Sequence, residues 1–145
     1  MGFFSKTCEY ALRAVLYIAS QSSEEKKVSI KEVADKVNSP VHFLGKILQS
    51  LSKEGLIQST KGPHGGFYIN HEGLKRPLAD IVIAIEGIQF LNGCGMGLSY
   101  CSEENPCPLH DDFKDIRSRL NIMLHKTTIG QFNEKLIQGV LTLDK

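Results

Sequence analysis

A chain of 145 residues, 41% apolar and 23% charged, is long enough to bury a core and too ordinary in composition for a disordered or fibrous protein. No apolar run reaches the roughly 18–20 residues that cross a bilayer, and residues 1–6 lack the pattern of a secretory leader, so a cytoplasmic, membrane-free protein is expected. The formal charge of +1 conceals a gradient: residues 1–76 hold eleven Lys and Arg against seven Asp and Glu, and residues 77–145 hold six against nine. A basic front half points mildly to nucleic acid.

In chain order, Phe4, Cys8, Ala11, Leu12, Val15, Leu16 and Ala19 follow helical spacing, which predicts an amphipathic helix over 5–21 with Cys8 as a core thiol. After the polar "SSEEKK", Ser29-x-x-Glu32 is a capping box that opens a short helix through Val37. Ser39 is placed to cap a further helix, and Pro40 suits its first position. That helix is expected to bury Phe43, Leu44, Ile47, Leu48 and Leu51 and to stop at Gly55. "LIQSTKGPHGGFYIN" then reads as a strand at 56–60, a Gly/Pro turn at 62–66 and a strand at 67–70. Three helices followed by a hairpin describe a winged helix-turn-helix.

The second helix of such a motif enters the major groove of DNA. Its outward polar residues are His42, Lys46, Gln49 and Lys53, with Ser39 and Pro40 at its start. The lysines suit phosphates, and the histidine and glutamine can bond base edges or backbone. Lys61 and His64 stand on the wing, and Gly65 and Gly66 have no side chain to keep its backbone away from phosphates. Each lysine singly could be an ordinary solvated charge; the argument is the set on one face.

Behind the wing, Pro77 opens a helix with Leu78, Ile81, Val82 and Ile85 on one face, ending at Gly87. Leu109, Phe113, Ile116, Leu120, Met123 and Leu124 recur at spacings of three and four, a long helix read as a dimerisation element. Thr128 and Gln131 have capping-box spacing and open a last helix through about Leu141. The expected class is mainly α with a small β-hairpin. A DNA-binding domain would span 1–74, and a sensor loop (91–110) with dimerisation helices would span 75–145.

Between the helices lies "LNGCGMGLSYCSEENPCPLHDDF", with three cysteines and a histidine in seventeen positions: Cys94-x6-Cys101-x5-Cys107-x2-His110. Clustered thiols in a reducing compartment favour metal or redox chemistry over structural disulfides. Structural zinc sites prefer cysteine pairs two to four residues apart, so these wider gaps favour an iron–sulfur cluster over zinc. A two-iron, two-sulfur form is favoured and a four-iron, four-sulfur form stays open. His110 is the nearest candidate for a fourth ligand, and Glu9 is another if helix 1 of a second subunit approaches. A thiol–disulfide switch and a structural zinc site remain alternatives. Cys107 and His110, with Asp111 or Asp112, could form a nucleophile–base pair, but the chain offers no scaffold for a substrate cleft, so no enzyme is expected. His71 and His125 read as surface residues.

"FLGKILQSLSKEGLIQSTKGPHGGFYI" closely resembles the recognition helix and wing of the Rrf-two family of bacterial regulators. "SKTCEYALRAVLYIA" is similar to the family's first helix and "TTIGQF" to its sequence after the long helix, so nearly the whole chain is covered. The resemblance implies a homodimeric winged-helix transcription factor on a palindromic operator, with DNA affinity set by an iron–sulfur cluster in its cluster-binding members. On that resemblance Cys94, Cys101 and Cys107 match the cluster cysteines and His110 the fourth ligand of two-iron members. Glu9 matches a helix-1 carboxylate that ligates from the other subunit in one branch. The first cysteine gap is six residues, where better-known members have five, and Gly45 replaces a longer polar residue that some members carry.

Overall fold

The computed structural model describes residues 2–139 and 143. Helix α1, Lys6–Gln21, starts where Ser5 accepts from the Cys8 N–H, and it turns Ala11, Ala14, Val15, Ile18 and Ala19 inward. Helix α2, Ile30–Val37, is capped by Ser29, whose hydroxyl accepts from the Glu32 N–H at 3.1 Å. The Glu32 carboxylate accepts from the Tyr17 hydroxyl at 2.7 Å, tying α2 to α1. Asn38 ends α2 in the left-handed region at φ 56°, a conformation asparagine tolerates.

Helix α3 runs Val41–Lys53. Contrary to expectation, Pro40 is the residue before the helix rather than its first member, and the Ser39 hydroxyl donates to the Pro40 carbonyl instead of capping. Proline at the boundary sets the chain's entry angle, so no side-chain cap is needed to start the turn. Leu44, Ile47, Leu48 and Leu51 are buried as expected, whereas Phe43 lies on the border of the stripe, 40% exposed and edge-on to the Tyr10 ring. The helix stops in a Schellman arrangement: the Gly55 N–H donates to Ser52 and the Leu56 N–H to Leu51, with Gly55 at φ 73°.

The wing strands are shorter than the apolar pattern suggests: β1 is Gln58–Thr60 and β2 is Gly66–Tyr68, paired antiparallel. Leu56, Ile57 and Ile69 leave the ladder to fill the core. On its other edge β2 pairs with Val28, which exchanges two backbone hydrogen bonds with Phe67 and sews the wing to the entry of α2.

Two short helices had no sequence signal: α4, His71–Leu74, capped by Asn70, and α6, Gln89–Asn92. Between them α5, Leu78–Glu86, ends at Gly87. The long helix α7 spans His110–His125, and α8 spans Ile129–Ile137 with a complete Thr128/Gln131 capping box. That last helix stops short of the expected end near Leu141: Gln138 is its C-cap and Gly139 turns into the left-handed region at φ 74°, while residues 140 and 141 lie outside the described residues. Ile81 of α5 and Ile129 of α8 join the main core with α1, α2, α3 and the wing. A second cluster gathers Cys8, Ala79, Val82, Leu91 and Leu124. The apolar stripe of α7 therefore divides. Leu120 and Leu124 pack on that second cluster, but Ile116, Ile122 and Met123 are exposed, because the inner face needs less than the whole stripe.

Candidate metal centre and nucleic-acid interface

The loop between α6 and α7 is fastened by α7. The Arg117 guanidinium donates to the Gly93 carbonyl, and the Asn121 side chain donates to the Leu91 carbonyl at 3.2 Å. The Phe113 ring packs against Gly95: a Cβ there would meet it at 2.5 Å, so a larger residue would push the ring aside. The farther leg joins α7 through the His110 N–H, which donates to the Cys107 carbonyl.

This clamp brings Cys94, Cys101 and Cys107 together, all three sulfurs within 4.8 Å of one another. Cys94 and Cys107 are 3.7 Å apart, sulfur to sulfur. Thiolates sharing one tetrahedral ion at the usual metal–sulfur distance of about 2.3 Å lie about 3.8 Å apart, so the donor set fits a thiolate-bound metal. The Met96 N–H points at the Cys94 sulfur and the Cys107 N–H at the Cys101 sulfur, each at 3.4 Å. Such N–H groups stabilise thiolate charge. The Leu98 and Met96 N–H groups bring the Cys94 thiol down to about 7. For Cys101 the Cys107 N–H also acts downward, but burial and the neighbouring Cys107 and Cys94 sulfurs raise it overall. Cys8, by contrast, is pushed up to about 12 by burial and by Glu86 and Glu9, as befits a core thiol.

His110 sits beside the triad, its Nδ1 3.1 Å from the Cys101 sulfur. Glu9 is engaged elsewhere within this chain, accepting from the Gly2 N–H at 2.8 Å and pairing with Lys6 at 3.4 Å. His71 and His125 are exposed, as expected. Sequence reasoning missed the fastening residues Phe113, Arg117 and Asn121, and it missed Glu103. The spacing of 113, 117, 120, 121 and 124 along one helix face carried that signal for α7, whereas nothing in the sequence ties Glu103 to His110.

Along α3 and the wing Pro40, His42, Lys46, Gln49, Lys53, Lys61 and His64 are exposed, with Ser39 half-buried. Gln49 and Lys61 border a groove of about 370 Å3 between α3 and the wing, and the Ser52 hydroxyl is buried there without a hydrogen-bond partner among the described residues. Gly65 and Gly66 turn out to serve the wing itself. Added Cβ atoms would meet the Thr60 carbonyl at 2.2 Å and the Val28 carbonyl at 2.5 Å, and Gly66 has φ 150°. At Gly45 an added Cβ would come within 3.3 Å of the tip of the Ile30 side chain, a tight contact between α3 and α2.

A helix-turn-helix with a paired wing, followed by a loop of three converging thiols fastened to α7, defines a winged-helix protein with a candidate metal centre. The profile of the Rrf2 (Rrf-two) family, described as "Iron-dependent Transcriptional regulator", matches residues 4–135. The chain belongs to this family and is a transcriptional regulator of it, not an enzyme. It is 34% identical over 128 residues to an HTH-type transcriptional regulator of Aquifex aeolicus, covering 87% of this chain and 88% of that one. It is 25% identical over 122 residues to the transcriptional regulator IscR of Escherichia coli, covering 84% and 74%. The structure of CymR, the global cysteine regulator of B. subtilis, superposes with a TM-score of 0.71 at 22% identity, covering 92% of this chain and 98% of that one. Regulators of this family bind DNA. Among the described residues no helix is long and apolar enough to cross a membrane.

Proposed function

We propose that this regulator binds a palindromic operator as a homodimer and that an iron–sulfur cluster on Cys94, Cys101, Cys107 and His110 sets its operator affinity. The observation that carries this reading is the convergence of the three sulfurs, with His110 at their edge. Glu9 of a second copy is the alternative fourth ligand, and two irons are favoured over four. When bound, such a cluster supplies a redox-active centre with exchangeable ligands in the reducing cytoplasm. Residues 1–74 form the reader, and residues 75–145 hold the sensor and the dimer helix, whose exposed Ile116, Ile122 and Met123 form its seat.

The chain's own residues supply the coupling. Arg117, Asn121 and Phe113 fix the thiol loop to α7, and Leu120 and Leu124 fix α7 to the cluster around Val82 of α5. Ile81 of α5 lies in the core that carries α3. A shift of the loop is thereby passed to the two recognition helices, whose separation must match half-sites roughly 34 Å apart. His42, Lys46, Gln49 and Lys53, with Ser39 and Pro40 at the helix start, face the groove of DNA, and Lys61, His64, Gly65 and Gly66 bring the wing to the backbone.

Anaerobic purification with a visible spectrum and assays of iron, sulfide and zinc tests the reading. A coloured protein with stoichiometric iron and sulfide is expected; a colourless protein with one zinc per chain would replace the cluster by a zinc site. The Cys94–Cys107 contact at 3.7 Å favours one further reading, a thiol–disulfide switch. A metal-free protein that loses two thiols on mild oxidation would establish it.

A further inference from the structure

The two ring nitrogens of His110 face different surroundings. Nδ1 meets the Cys101 sulfur, which makes Nδ1 the atom that would bind a metal held by the triad. A neutral imidazole that ligates through Nδ1 carries its proton on Nε2, and ligand histidines ordinarily donate a hydrogen bond through that N–H to a carboxylate or carbonyl that fixes the ring. Here Nε2 is buried and has no hydrogen-bond partner among the described residues. Glu103 Oε1 stands 3.6 Å from it, just beyond bonding distance. Glu103 is itself held by an ion pair to Lys114, one turn along α7 from His110. Glu103 lies between two of the cysteines, so the loop that gathers the thiols also delivers the carboxylate to the histidine's far side.

We propose that Glu103, steadied by Lys114, is the positioning residue that accepts a hydrogen bond from the His110 Nε2–H and turns Nδ1 into the three-cysteine centre. The small closure from 3.6 Å to a hydrogen bond accompanies metal binding. This rests on the reading of Cys94, Cys101, Cys107 and His110 as ligands, and it adds a residue with no ligand role of its own. Glu104, next in sequence and also exposed, serves as the control.

The test is an anaerobic titration of the metal-free full-length protein with cobalt(II), whose visible bands report thiolate and imidazole ligation. Glu103→Ala should weaken cobalt binding by on the order of tenfold, at the lower end of the usual effect of such supporting residues. Glu103→Gln, which keeps an acceptor oxygen, should recover part of the loss, and Glu104→Ala should leave affinity and bands unchanged. In a His110→Ala background, Glu103→Ala should cost nothing further, because its effect passes through the histidine. An undiminished affinity in Glu103→Ala, or an equal loss with and without His110, overturns the proposal. Either result leaves the metal-centre reading intact if the wild type and Glu103→Ala still take up iron and sulfide. A wild type that binds neither cobalt nor iron at these thiols sinks both.

Discussion

In residues 6–69 the chain is pinned by fully buried aliphatic side chains such as Ile18, Leu44, Leu48, Leu51 and Ile57, while from 92 to 109 no residue is buried at all. The first region closes its helices with local devices, the Ser5 and Ser29 caps and the Schellman stop at Gly55, and then fills a shared core. The second is held from outside, by an arginine and an asparagine on backbone carbonyls and one ring on a glycine. Burial of apolar surface stabilises the winged helix whatever the thiol loop holds, whereas that loop has no core of its own and would gain most from a bound metal. A regulator can use that difference, since a ligand shifts most readily the segment that is least fixed without it.

The contrast can be broken by substitutions on either side. The largest effect is expected from Leu48→Ala, which removes a fully buried side chain from α3. It should cost about 2–5 kcal/mol of stability, read by thermal or denaturant unfolding. A loss well under 1 kcal/mol would mean that the reader is not core-stabilised. Next, Cys101→Ala should abolish metal uptake while the unfolding midpoint of the metal-free protein barely moves; a full complement of iron in that variant would remove Cys101 from the ligand set. A smaller effect is expected from Lys46→Ala. Operator and non-specific DNA should both be bound more weakly, with the salt slope reduced by about one, and unchanged affinity would refute the docking face. The smallest effect sharpens the contrast inside the thiols. Thiolates are the nucleophiles, so in metal-free protein alkylation of Cys94 should rise as pH passes about 7 and then level, before Cys101 reacts. Cys8, pushed up to about 12, should stay unmodified in the folded chain. Peptide mapping after timed alkylation would show the order, and simultaneous modification of Cys94 and Cys101 would contradict it.

Much of the reader was legible because its signals are local. Helical spacing in α1 and α3, the Ser29 cap and the Gly55 stop each depend on residues within a turn of one another. The errors arose where long-range packing decided. Leu56, Ile57 and Ile69 look like strand but are drawn into the core, which shortens β1 and β2. Pro40 stands outside α3, and Phe43, Ile116 and Met123 belong to apolar stripes broader than the surfaces they cover.

By itself the sequence determined the winged helix, the family resemblance and the identity of the three cysteines and the histidine, since composition, periodicity and motif spacing are written along the chain. Only the tertiary structure decided that the three sulfurs meet within 4.8 Å and that His110 touches one of them. It alone set Glu103 on the histidine's far side and divided the stripe of α7 into an inner and an exposed face. Those are relations between residues brought together by packing of α5, α6 and α7, and burial and side-chain direction in a loop without periodicity follow from that packing rather than from any local pattern.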